Sequence, residues 1–286
     1  MDTGNLDATI AEYREAVRLK SDDAAAHRSL GIALWKKGNI SGAIAEYRAA
    51  VRLKPNEADT HRSLADALAK DGDLEGAIGE YRQTLRLGPD DALAHNNLGS
   101  ALQRNSDPEG AIAEYLKAIR LRPDLTSAHT NLARSLALKG DQEGAVSEYR
   151  EALRFSPHDA DLHYSLGRAL SKKRNIASAM AEYREALRLK PDLARVHYSL
   201  GAALARKRDI AGAIGEYLEA SLTSLWGKLL AQYFSLFVAT VVLGYALGLV
   251  SFSHQMQHPQ RLVAFPIAIM LFVYSYRWFF KGKEKQ

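Results

Sequence analysis

Apolar residues fall at helical spacing in paired runs. Leu30-Gly31-x-Ala33-Leu34 is one run, and Ala43-Ile44-x-x-Tyr47-x-x-Ala50-Val51-x-Leu53 is the next. Between them Lys37-Gly38-Asn39 is a stop-and-turn signal. Pro55 closes the second run, because it has no backbone N–H to donate and its ring clashes with the preceding turn. The pattern predicts a helical hairpin, and it returns every 34 residues. Tyr13, Tyr47, Tyr81, Tyr115, Tyr149, Tyr183 and Tyr217 mark the period. His27, His61, His95, His129, His163 and His197 keep it too, as do Leu30, Leu64, Leu98, Leu132, Leu166 and Leu200. Pro55, Pro89, Pro123, Pro157 and Pro191 close five units. A lone hairpin cannot bury its apolar face, whereas stacked hairpins can, so the period predicts an all-α solenoid with a long concave surface.

The full units are Ala24–Glu57, Ala58–Asp91, Ala92–Leu125, Thr126–Asp159 and Ala160–Leu193, and a sixth begins at Ala194. In the first of these, Gly31, Ala43, Tyr47, Ala50 and Pro55 stand where the tetratricopeptide repeat (TPR) family has its small, alanine, aromatic, alanine and proline positions. The unit resembles that family. The resemblance implies helix-turn-helix units stacked in a right-handed superhelix that binds proteins or peptides. The family's first-helix tryptophan is replaced by the histidine column, and its tyrosine by Leu34 and equivalents. Ahead of the full units, Gly4-Asn5 aligns with Gly38-Asn39, which predicts a lone second helix from about Leu6 to Lys20. Two readings fit: a fragment, or an exposed edge that docks onto another protein or stacks copies into a homo-oligomer.

The sixth unit departs from the rest. Leu225 stands where a closing proline would recur, and Leu222, Leu225, Trp226, Leu229 and Leu230 continue the apolar stripe, so the last repeat helix is expected to run on. Residues 229–252 carry no charge, and residues 262–280 carry only Arg277. Each run is about the ~20 residues that span a bilayer core, so the two predict a transmembrane hairpin. The expected division is a solenoid over residues 1–221 and a membrane anchor over 222–286. Thr240, Gly244 and Gly248 form a small-residue stripe suited to helix packing. Lys228, Lys281, Lys283 and Lys285 flank the spans while the loop has Arg261 alone, which puts the repeats and the C-terminus in the cytoplasm.

The formal net charge is +5. It resides in the segment from Leu222 onward, so the repeats are near neutral and a nucleic-acid partner is not indicated. Cysteine is absent, which excludes disulfides and thiolate metal sites. The sequence holds no phosphate-binding glycine loop, nucleophile elbow or metal-ligand cluster, so neither an enzyme nor a cofactor is expected. The histidines recur one repeat apart, too far for shared ligation, and read as packing residues. His254 and His258 are a weak metal signal.

The resemblance assigns the concave face to set positions of each first helix. These give a partner groove formed by Arg28, Arg62, Asn97, Ser100, Asn131, Arg134, Tyr164, Arg168 and Tyr198, polar and net basic, suited to an acidic extended segment. Asn97 and Asn131 resemble the asparagine ladder with which O-GlcNAc transferase arrays hold a peptide backbone. The two-carboxylate clamp of chaperone-binding arrays is not reproduced, since Ile32 and Leu93 occupy its polar places. The function expected is a membrane-anchored scaffold. The alternatives are a subunit or assembly factor of a membrane complex, and the recognition portion of a glycosyltransferase-like enzyme.

Overall fold

The computed structural model describes residues 3–223. They form thirteen helices in an all-α repeat array: α1 (Thr3–Leu19), α2 (Ala24–Lys36), α3 (Ile40–Leu53), α4 (Ala58–Asp71), α5 (Leu74–Leu87), α6 (Ala92–Arg104), α7 (Pro108–Leu121), α8 (Thr126–Lys139), α9 (Gln142–Phe155), α10 (Ala160–Lys172), α11 (Ile176–Leu189), α12 (Ala194–Arg206) and α13 (Ile210–Thr223). The first helix takes in Gly4 and Asn5, which the repeat register assigns to a turn. Among the described residues no helix is long and apolar enough to cross a membrane. The expected spans, the Thr240–Gly244–Gly248 stripe, His254, His258 and the continuation beyond α13 lie outside the described residues.

Helix entries follow local chemistry. Asp23, Asn39, Asp73, Asp91, Asp107, Asp141, Asp159 and Asn175 each cap a helix by accepting backbone N–H groups of its first turn. The second helices end ahead of the closing proline. Lys54, before Pro55, is already extended at φ −135°, ψ 84°, because proline disfavours the helical region for its predecessor.

Each turn inside a hairpin needs one left-handed residue. Gly38, Gly72 and Gly140 supply it in three units, and Ser106, Arg174 and Arg208 in the other three, at φ 64°, 62° and 65°. A side chain there crowds the following carbonyl at a cost of roughly 1–2 kcal/mol, part of which glycine forfeits again in unfolded-state entropy. Arg174→Gly is therefore expected to raise stability by up to about 1 kcal/mol, read as a shift in the urea midpoint at unchanged slope.

Consecutive helices pack in order, and the first helices of successive units also touch: α2 with α4, α4 with α6, α6 with α8, α10 with α12. The first helices therefore line the inside of the curve. The hairpin core is a tyrosine laid on a small residue. A Cβ on Gly99 would sit 2.6 Å from Tyr115 Cε1 and 3.1 Å from the Ala111 carbonyl. The second-helix alanines opposite, Ala43, Ala50, Ala111 and Ala118 among them, are fully buried.

Candidate functional site

The histidine column is part of the frame. In all six units Nδ1 meets a glutamate Oε2 of the second helix at 2.5–2.7 Å: His27 with Glu46, His61 with Glu80, His95 with Glu114, His129 with Glu148, His163 with Glu182 and His197 with Glu216. Nε2 meets a carbonyl six residues back, Ser21 in the first case and the closing prolines Pro55, Pro89, Pro123, Pro157 and Pro191 in the others. Both ring nitrogens thus face acceptors, an arrangement that a doubly protonated imidazolium satisfies in full. The sequence reading assigned these histidines to packing and missed their partners. The signal was present, since a glutamate precedes every marker tyrosine, nineteen residues after the histidine.

On the inner face, Arg28 of the first full unit and Arg62 of the second are already spent. Arg28 donates to Glu57 Oε1 at 2.8 Å. Arg62 donates to Asp91 Oδ2 at 3.1 Å and to Asp59 Oδ1 at 2.9 Å. These two arginines of the expected net-basic channel are therefore neutralised, because the cap position of the following unit supplies an acid 29 residues on.

From α4 to α8 a polar chain crosses the units. The Tyr81 hydroxyl donates to Asp66 Oδ1 at 2.5 Å, and Asn97 Nδ2 donates to the same oxygen at 3.0 Å. Asn96 Nδ2 donates to Asn97 Oδ1 at 3.1 Å, and Asn131 Nδ2 to Asn96 Oδ1 at 3.0 Å. Arg134 Nη2 closes the chain on Asn131 Oδ1 at 2.7 Å. Asn97 and Asn131 are thus half-engaged within the protein. Each keeps one amide N–H and one oxygen lone pair, enough to hold one peptide unit. Asp66 and Asn96 stand at groove-facing positions of the first helices, whereas Tyr81 was not expected at the site. Burial pushes the Asp66 carboxyl up, against the hydrogen bonds from Tyr81 and Asn97. Ionised Asp66 therefore costs stability above its raised pKa, a cost relieved as pH falls through it. Asp66→Asn keeps the acceptor and removes the buried charge. It is expected to be neutral or stabilising by under about 1 kcal/mol at pH 7, read from thermal melts.

Farther along, the aromatic positions come forward. Tyr164 lies under two guanidinium groups, Arg168 at 5.7 Å and Arg195 at 5.2 Å from its ring centre, and tilts against Tyr183. Tyr198 is 63% exposed and leans on Tyr217. Ser100 is half-buried on α6, next to the Tyr115 hydroxyl. Arg134, Arg168, Lys172, Gln142 and Tyr149 surround a cavity of about 220 Å³ between α8, α9 and α10.

Two tetratricopeptide repeat family models match the sequence, one over residues 1–58 and 62–126 and the other over 133–173 and 175–207. The chain belongs to the TPR family. Arrays of this kind are scaffolds for protein–protein interaction. No curated protein matches the sequence. Among solved structures, PilF of Pseudomonas aeruginosa is similar at 22% identity and a TM-score of 0.62, over 73% of this chain and 97% of that one. YrrB, described as a TPR protein with an unusual peptide-binding site, is similar at 21% identity and a TM-score of 0.55, over 68% and 97%. MamA from Desulfovibrio magneticus is similar at 22% identity and a TM-score of 0.56, over 58% and 94%. At these identities the likeness speaks for the TPR fold alone.

Proposed function

We propose that the chain is a membrane-anchored TPR scaffold that holds an extended segment of a protein partner in its concave groove, at the cytoplasmic face. The observation that carries the groove is the open hydrogen-bonding capacity of Asn97 and Asn131 on the inner helices, in line with cations and exposed aromatics. A peptide backbone presents one N–H and one C=O per residue, and a half-engaged amide answers both. The peptide-binding site of YrrB supports the same use of a related array. Residues 229–252 and 262–280 support the anchor by their length and lack of charge.

Crosslinking capture from native membranes tests the reading, with the intact chain compared to a variant carrying Asn97, Asn131 and Arg134 all replaced by Ala. A partner captured by the intact chain and lost from the variant supports it. Partners that survive the groove changes but vanish on removal of residues 224–286 overturn it in favour of a subunit or assembly factor of a membrane complex. The anchor is tested separately: the intact chain should resist alkaline extraction from membranes, and the chain cut after Thr223 should be released.

A further inference from the structure

We propose that the groove holds an acid-selective subsite in its fourth to sixth units, on α8, α10 and α12, and that the segment bound there is an acidic peptide. The inference rests on the groove reading above and narrows it.

The pairing of the inner-face arginines changes midway, while Lys36, Lys70 and Arg104 in the first three units also have no carboxylate partner among the described residues. Arg28 and Arg62 are neutralised by Glu57, Asp91 and Asp59. Arg134, Arg168, Lys172 and Arg206 form no ion pair with a carboxylate among the described residues. Their contacts are neutral: Arg134 donates to the Asn131 amide oxygen at 2.7 Å, Arg206 to Ser171 Oγ at 3.3 Å, and Arg168 lies against the Tyr164 ring. The reason is visible in the register. Arg28 and Arg62 stand 29 residues before the cap acids Glu57 and Asp91, whereas Arg134 and Arg168 stand four residues farther along their helices, out of line with the caps. Of the acids that remain nearby, Asp159 caps α10 through the N–H groups of Asp161 and Leu162, and Asp161 is paired with Arg195 and Lys190.

The cavity between α8, α9 and α10 brings Arg134, Arg168 and Lys172 together. Gln142, on its wall, has Oε1 buried with no hydrogen-bond partner. The site thus offers cations for a carboxylate and an unused acceptor for an N–H. An Asp or Glu residue within a peptide brings both. A second cavity lined by Lys172, Arg174 and Arg206 continues the strip towards α12. Guanidinium–carboxylate pairs are short, strong and geometrically selective, which suits capture of one or two acidic side chains. A nucleic acid fits less well. A polyanion extending along the groove would leave the cationic strip and meet Asp66 and the acids that pair Arg62.

The test is fluorescence anisotropy with the full chain in non-ionic detergent. The probes are a labelled Glu-rich peptide, its counterpart with Gln for Glu, and a single-stranded oligonucleotide of equal charge. The Glu-rich peptide is expected to bind, to weaken with salt, and to lose at least about tenfold in affinity in Arg134→Ala/Arg168→Ala. Arg28→Ala/Arg62→Ala should leave its affinity within about twofold. Equal binding of the Gln counterpart, tighter binding of the oligonucleotide, or an equal loss in the Arg28/Arg62 variant would each overturn the proposal. The two readings fail separately. A membrane partner lost from Asn97→Ala/Asn131→Ala but retained by Arg134→Ala/Arg168→Ala leaves the groove standing and sinks the acidic site.

Discussion

Tyr115→Ala is expected to destabilise the array by about 3–5 kcal/mol, the cost of emptying a fully buried aromatic site. Tyr115 has no exposed surface, and its ring lies against Gly99 where not even a methyl group fits without displacement. The void opens between α6 and α7, in the middle of the array. Because each unit is held mainly by its neighbours, the loss should decouple the units on either side and split one urea transition into two. Tyr115→Phe is the control. The buried Tyr115 hydroxyl has Ser100 beside it but makes no well-formed hydrogen bond, so its removal should be nearly neutral. A cost under about 1 kcal/mol for the alanine variant would mean that the ring on the glycine is not what joins the hairpin.

The second large effect is pH-dependent and lies at the last histidine. Burial works against the charge on His197, but the hydrogen bonds to Glu216 and to the Pro191 carbonyl, with the charges of Glu216 and Glu219, outweigh it and raise its pKa. Folding therefore binds a proton more tightly at this site. The stability so contributed is complete below the unfolded value of about 6.5 and is lost as pH rises through the folded-state value. Glu216→Gln separates charge from packing. A neutral ring can donate Nε2–H to Pro191 and accept at Nδ1 from the new amide, so the variant is satisfied without the extra proton. At pH 6 it should cost about 1.5–3 kcal/mol, the worth of a hydrogen bond to a charged group, and by pH 9 it should match the parent. Hydrogen exchange of α12 and α13 amides at the two pH values checks this. A cost that does not change with pH would show that the proton plays no part.

The hairpins were legible because their signals are local. The apolar spacing of Leu30 to Leu34 and Ala43 to Leu53, the turn at Gly38 and the closing Pro55 all act within one unit. The small residue facing the tyrosine was legible for the same reason. The groove was read less well, because its electrostatics are set between units. Whether Arg28 and Arg62 are free depends on Glu57 and Asp91, each 29 residues on, and on which helix faces the curvature brings together. The same holds for Asn97, whose partner Asp66 is 31 residues back. The histidine–glutamate pairs fall between the two cases. Their offset is constant and could have been seen, but an apolar-packing reading of the column gave no reason to look for an acid.

The turns, the tyrosine clasp and the histidine with its two acceptors each close either inside a unit or on the last residues of the unit before. A block running from one histidine to the next could therefore be excised or copied, and the rejoined chain would find the same neighbours at the seam. Length is then a trait that changes by whole units, without a new core having to evolve each time. Charge is carried by different positions from those that hold the fold. Copying the unit that bears Arg62 would add another paired arginine, and copying the one that bears Arg168 and Lys172 would add cations without a carboxylate partner. Reach and taste for a partner can thus drift independently in the descendants of one such chain.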